Sequence, residues 1–404
     1  MTIISRLRIV AALLAVALPA TARLGAGRAY AGECAALPTP VYITGSTAAK
    51  PPLAEVAKIM ASQHPPVTLV YAGQGSCGGV DAIVNGTPVH GEAAGGLVYW
   101  DATGAELKCD VPVKGPGALV DIGISDVFAT TCLKLPGGLP SNVADFLGPV
   151  QTMTFVVPKA SPERSISAEA AYNVYGFGAD SGVEPWTDEA FIFRRDELSG
   201  TQRMIAAALG VDAGRWKGTA ATSSTDLKAK LLAAATNPRA IGILSADVVQ
   251  DYRYALNVLA YQHFGQSCGY YPDRDDSSNE KSNVREGRYA LWGPLHLLTR
   301  LGGSGYPSNP DAADAIGYLT GTKTPPAGLD LIVLEAQKHV VPQCAMRVKR
   351  TAELGPMIPF APTGACGCYY DKVANGQTSC RLCKVARDCT AAAPACNYGY
   401  CEAQ

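Results

Sequence analysis

Four short polar segments, most of them glycine-bearing, constrain this chain more than anything else in it. They are Thr44-Gly45-Ser46-Thr47-Ala48, Gly75-Ser76-Cys77-Gly78-Gly79, Ile124-Ser125-Asp126 and Arg195-Asp196-Glu197-Leu198-Ser199-Gly200-Thr201. Three of them fall where a strand pattern hands over to a helical one. A helix start offers unpaired N–H groups and the positive end of the macrodipole, which suits an anion. Glycine lets the backbone come close, and Ser or Thr adds a hydroxyl. Arg195 adds a planar fork able to clamp an oxyanion through two bonds. A pocket that holds an anion without transforming it is the expectation.

The pattern between these segments is one of alternation. Val41-Tyr42-Ile43, Val67 to Tyr71, Val120 to Ile124, Thr152 to Val157, Phe191-Ile192-Phe193, Ala240 to Leu244 and Tyr289 to Leu298 read as strands. Helices are expected over 52–62, 79–85, from a Ser167 cap to Gly176, from Ser199 to near Gly210, from a Ser224 cap, from Ala246, and over 311–319 and 329–339. Residues 86–119 read as an extended loop or hairpin, with Leu97 to Trp100 as a strand. Strands alternating with helices imply an α/β fold of parallel sheets covered on both faces, with ligands at the strand C-termini. The first three segments belong to one lobe and Arg195 to another, so a ligand between them is buried by lobe closure. Arg194 should face away from Arg195 by strand alternation and make a structural contact.

The start of the chain is a leader. Arg6 and Arg8 precede an apolar run from Ile9 to Ala20, and Ala29-Tyr30-Ala31 reads as the cleavage motif, with Ala20-Thr21-Ala22 a second candidate cut. No later stretch approaches the length that spans a membrane. Cleavage leaves Gly32 to Gln404. It removes Arg6, Arg8, Arg23 and Arg28 and no acid, taking the formal net charge from −1 to −5. With no Lys/Arg cluster, nucleic acid is not an expected partner. Thirteen cysteines in an exported chain read as disulfides. Their odd number leaves at least one thiol unpaired within the chain.

The four segments resemble those of the periplasmic phosphate-binding proteins of phosphate ABC importers, which have the type 2 periplasmic binding protein fold. The resemblance runs from about residue 41 to 300. It rests on Val41 to Thr47, on Val70 to Val80, on Asp121-Ile122-Gly123-Ile124-Ser125-Asp126, and on Arg195 to Thr201, in the family's order. It implies a two-lobed α/β protein and a ligand set of Ser46, Thr47, Ala48, Ser76, Asp126, Arg195, Ser199, Gly200 and Thr201. It implies that Asp126 accepts the proton of phosphate. Phosphate carries that proton at neutral pH and sulfate does not, so an acceptor in the pocket favours phosphate. No cofactor or metal is implied. The partners implied are inorganic phosphate or a similar oxyanion and the membrane subunits of an ABC importer, with a monomer in the periplasm or at the cell surface. Two positions depart from the family pattern: Ala48 stands where an aromatic is usual, and Glu197 stands where an Asp follows the Arg.

The domain plan expected is a signal peptide over 1–31, the first binding lobe over 32–150, the second over 151–260, a return to the first lobe with C-terminal helices over 261–362, and a cysteine-rich module over 363–404. That last segment runs Cys366-x-Cys368-x11-Cys380-x2-Cys383-x5-Cys389-x6-Cys396-x4-Cys401. Few apolar residues accompany it, so it needs staples. Disulfides are expected, with one of the seven tail cysteines bridging to Cys344 in the body. A zinc site on Cys366, Cys368, Cys380 and Cys383 is the alternative.

Two other functions compete. A secreted hydrolase or phosphatase would use Ser76 as nucleophile, but Gln74 breaks the nucleophile-elbow pattern and no base is evident among His64, His90, His263, His296 and His339. A surface adhesion protein would bind through the tail. Asp273, Asp275 and Asp276 lack calcium-loop spacing and read as a solvated loop.

Overall fold

A computed structural model describes residues 33–91, 97–324, 326 and 328–403. The leader expected over 1–31 lies outside them. The chain opens with β1 (Pro40–Gly45), α1 (Lys50–Ala61), β2 (Thr68–Ala72), α2 (Ser76–Val84), a hairpin of β3 (Leu97–Trp100) and β4 (Glu106–Cys109), β5 (Ile122–Ser125) and the long β6 (Val143–Pro158). α1 forms because Leu53, Val56, Ala57 and Met60 recur on one face, and all four are buried.

One nine-stranded sheet runs through the molecule. Its order is Gly242–Ser245, β6, Trp292–Arg300, β5, β1, β2, β3, β4, with Leu256–Val258 pairing β6 from the side. Within this sheet, only β2, β1 and β5 are mutually parallel. The expectation of parallel sheets needs correction: Trp292–Arg300 runs antiparallel to both β5 and β6, and β3 runs antiparallel to β2. The reason is the connections. A hairpin and a long return carry the same local pattern as further units of strand and helix alternation.

Strand alternation sorts the side chains between cores. Val41, Ile43, Leu69, Tyr71, Leu295 and Leu297 face α1 and the helix Pro310–Thr320. Val70 and Leu298 face the opposite side, against Val80 and Ile83 of α2. A third and larger core gathers Phe155, Tyr175, Ile205, Leu227, Ile243, Tyr261 and Trp292. β6 contributes Val143 to the second core and Val150 to Val157 to the third, so a single strand joins them.

Of the three acids read as a solvated loop, Asp276 is exposed and Asp275 half-buried, but Asp273 is not solvated. Asp273 and Lys281 are both buried and paired at 2.8 Å, and Ser282–Arg285 is a short helix. Six disulfides form: Cys34–Cys109, Cys77–Cys132, Cys344–Cys366, Cys368–Cys380, Cys383–Cys396 and Cys389–Cys401. The tail is therefore tied to the body through Cys344, as expected, and the four cysteines of the zinc alternative are all in disulfides. The thiol left over is Cys268. The tail also carries a helix, Gly367–Asn375, which buries Tyr370 in the third core. Among the described residues, no helix is long and apolar enough to cross a membrane.

Candidate functional site

Four chain segments converge at the ends of β1, β5 and α2. β1 ends at Gly45, and the Ser46 N–H donates to the Ile124 carbonyl at 2.8 Å. This puts Ser46 and Thr47 beside Asp126, which follows β5. Ser46 caps the turn Thr47–Ala49, its Oγ accepting from the Ala48 N–H at 3.2 Å. Gly75, at φ 80°, opens α2; a Cβ there would stand 2.8 Å from the Leu198 carbonyl oxygen. The absence of a side chain lets the Arg195 segment come close, and the Cys77 N–H donates to that same carbonyl at 3.1 Å.

The Arg195 segment arrives from the strand Phe193–Arg195, which begins two residues later than the apolar run suggests. Ser199 then caps the helix Gly200–Leu209 and accepts from the Gln202 N–H, and Gly210 ends that helix in a left-handed conformation. Gly200 lies against the first lobe. A Cβ at Gly200 would stand 2.2 Å from Ser76 Oγ and 2.7 Å from Asp126 Oδ2. Arg194 turns away and donates to the carbonyls of Gly218 and Arg195, the structural contact expected of it.

All nine residues selected from the sequence line one small cavity. Ser46 Oγ donates to Asp126 Oδ1 at 2.5 Å, and Ser76 Oγ donates to Asp126 Oδ2 at 3.0 Å. Asp126 is 3% exposed. Burial pushes its carboxyl above the ordinary carboxylate range, against the two hydroxyl bonds and the charge of Arg195, which pull it down. Arg195 is 4% exposed. Burial lowers its pKa from the ordinary arginine value, while Asp196 and Asp126 oppose that shift. The cavity is about 10 Å³, room for a single water.

Two further residues line the cavity that sequence reasoning missed. Gly75 belongs to one of the four segments but was not assigned to the site. The sequence pattern places Ser224 as a cap, yet the cap of the helix Ser224–Ala233 is Ser223, whose side chain accepts from the Asp226 N–H. Ser223-Ser224-Thr225-Asp226 is a capping pattern that starts one residue before Ser224. Ser224 is thereby freed to face the cavity. It accepts from Arg195 Nη1 at 2.8 Å and sits 3.4 Å from Thr47 Oγ1. Glu197 does not brace Arg195; its carboxylate lies 4.0 Å from Arg203 Nη2. The nearest acid to Arg195 is Asp196, at 3.9 Å. Arg195 Nε is buried with no hydrogen-bond partner among the described residues. None of the five histidines lines this cavity.

The family model described as a PBP superfamily domain matches residues 29–322. The chain belongs to the PBP superfamily. No curated protein matches its sequence. Solved structures similar to this PBP chain include a Clostridium perfringens protein with bound phosphate, described as a phosphate ABC transporter substrate-binding protein. It is 14% identical with a TM-score of 0.49, over 75% of this chain and 99% of that one. An ABC-type phosphate transport receptor from Vibrio cholerae is 14% identical with a TM-score of 0.48, over 75% and 100%. A Corynebacterium glutamicum OxyR C206 mutant is 10% identical with a TM-score of 0.37, over 73% and 67%. The fold is the α/β type 2 periplasmic binding protein fold with a small disulfide-rich C-terminal module.

Proposed function

We propose that this chain is an exported solute-binding protein that captures inorganic phosphate between its two lobes, for ABC import or for sensing. The observation that carries the reading is the state of Arg195. It is a buried guanidinium with an unpartnered Nε donor, set among hydroxyls from both sides of a cleft and faced by no acid closer than 3.9 Å. A buried cation so weakly paired is costly, and an anion removes the cost. Asp126 makes the site selective. A protonated oxyanion donates to it, whereas sulfate sets a carboxylate against a second negative charge.

Thr47, the Ala48 N–H, Ser76, Ser199, Gly200 and Thr201 supply the remaining donors, with Ser224 added by the fold. The disulfides fit an oxidising compartment. Binding by local dipoles and one guanidinium suits a chain whose formal net charge is −1 with the leader and −5 without it, and which has no basic field to offer.

Calorimetry with phosphate, arsenate, sulfate and molybdate tests this. Phosphate and arsenate should bind one site, with sulfate far weaker. An absence of heat with all four would remove the proposal.

A further inference from the structure

The turn that carries Asp126 is held from outside the family's domain. Phe128 stands two residues after Asp126, at the cap position of the short helix Ala129–Cys132, and its own side chain supplies no capping bond. The acceptor comes from Glu353. Its Oε2 accepts from the Phe128 N–H at 3.1 Å and from Thr131 Oγ1 at 3.3 Å. Its Oε1 is buried with no hydrogen-bond partner among the described residues, so this turn is what the carboxyl holds. The match to the PBP superfamily domain ends at residue 322. Glu353 therefore belongs to the C-terminal extension, and it reaches the turn across 225 residues of sequence.

The arm that brings Glu353 has its own anchors. Val348–Lys349 pairs antiparallel with Ile358–Pro359, and Arg350 and Glu353 lie on the connection between them. Arg350 is buried, with its guanidinium 4.1 Å from the Trp292 ring centroid. Both Nη1 and Nη2 donate to the Ala290 carbonyl. The arm is thus seated on the start of the strand Trp292–Arg300 by contacts that do not involve Glu353.

The turn is also confined from within the matched domain. Ser125 Oγ donates to the Val127 carbonyl at 2.7 Å, and the Asp126 N–H donates to Ser76 Oγ at 3.1 Å. The Phe128 ring packs on His296, with centroids 4.4 Å apart. A Cβ at Gly293 would stand 3.2 Å from the Asp126 carbonyl oxygen. A turn so tightly bounded passes a displacement of Phe128 on to Asp126. A Phe128 N–H that lost its acceptor would have to move to find another, since an unpaired buried donor is costly.

We propose that Glu353 is a positioning residue for the anion site: by holding Phe128 it sets the Asp126 carboxylate, and the C-terminal extension thereby contributes to the choice among oxyanions. This rests on the phosphate reading above. An acceptor discriminates against a guest without a proton only while it cannot turn aside, so selectivity depends on how firmly Asp126 is held.

Two measurements on the full chain test it. Calorimetry gives the ratio of the phosphate and sulfate dissociation constants, and amide hydrogen exchange by NMR on the anion-free protein reads the turn directly. Glu353→Ala should narrow the preference for phosphate about three- to tenfold and speed exchange at Phe128 about tenfold. Glu353→Gln keeps an oxygen in reach of the Phe128 N–H and should restore both values to near the parent's. Glu353→Asp draws the carboxylate back by one methylene and should act as Glu353→Ala does, which keeps the test open if the alanine variant fails to fold. In an Asp126→Asn background, Glu353→Ala should no longer move the ratio, because the group it positions is gone. The positioning role is overturned, with the phosphate reading intact, if the alanine and aspartate variants leave the ratio or the exchange unchanged. It is equally overturned if Glu353→Gln loses as much as they do, or if the ratio still moves in the Asp126→Asn background. A parent that binds neither anion overturns both.

Discussion

Arg195 Nη1 donates to Ser224 Oγ at 2.8 Å, and that hydroxyl is also 3.4 Å from Thr47 Oγ1 across the cleft. One serine thus orients the guanidinium and touches the opposite lobe. Ser224→Ala should weaken phosphate about three- to tenfold, the loss of one hydrogen bond to a charged group. Arg195→Lys should weaken it about a hundredfold, because an ammonium cannot make the paired contacts of the fork. Calorimetry on both variants checks the ranking. An unchanged Ser224→Ala would show that Arg195 needs no brace.

Asp126 accepts hydrogen bonds from Ser46 and Ser76 and so has the role of acceptor already. Asp126→Asn should reduce the preference for phosphate over sulfate by about tenfold or more, mainly by admitting sulfate. The ratio of the two dissociation constants is the readout. A ratio that does not move would put selectivity elsewhere.

Gly200→Ala should abolish anion binding while the fold survives. The added Cβ would stand 2.2 Å from Ser76 Oγ, inside the cavity, and alanine favours the helix that Gly200 begins. Thermal unfolding should show a loss of about 1–3 kcal/mol or less. Retained phosphate affinity would mean that the segment does not approach Ser76 as closely as it does here.

Asp247 gives a pH signature. Burial raises its carboxyl to about 7. The unfolded chain ionises this group near pH 4, whereas the native state keeps the proton until about pH 7. Folding therefore takes up a proton between those values. This group's contribution to stability falls as pH rises through the window and is level above it. Asp247→Asn removes the effect. Its Tm should match the parent at pH 4 and exceed it at pH 8, by about 4 kcal/mol of stability at most. Equal Tm differences at both pH values would be evidence against a buried neutral Asp247.

Much of the site is legible in the sequence because its chemistry is local. Ser46, Ser76 and Ser199 each sit at a glycine-marked helix start, and a helix start needs no tertiary information to be recognised. Ser224 is not legible in the same way, since two serines stand at that start and either can serve as the cap. Asp273 reads as solvated because it stands among charged and polar neighbours; that it meets Lys281 in the interior depends on a contact eight residues along the chain. Sheet direction is hidden for a similar reason. Whether Trp292–Arg300 runs with or against β5 is decided by the path of a connection, which hydrophobic periodicity does not record. The joining of β6 to three neighbours is equally hidden, since of its sixteen residues only Thr152 to Val157 carry a strand pattern.

Trp292–Arg300 is paired along nearly its whole length with the first ten residues of β6, and both strands pass from one hydrophobic core to the other. They are girders rather than tethers. If the cleft is to gape, these two ribbons must flex together, and their ladder of hydrogen bonds resists shear far more than it resists twist. The molecule would then respond to a guest like a leaf spring, with small rotations, a built-in restoring force, and a shut position that does not depend on anything being held inside.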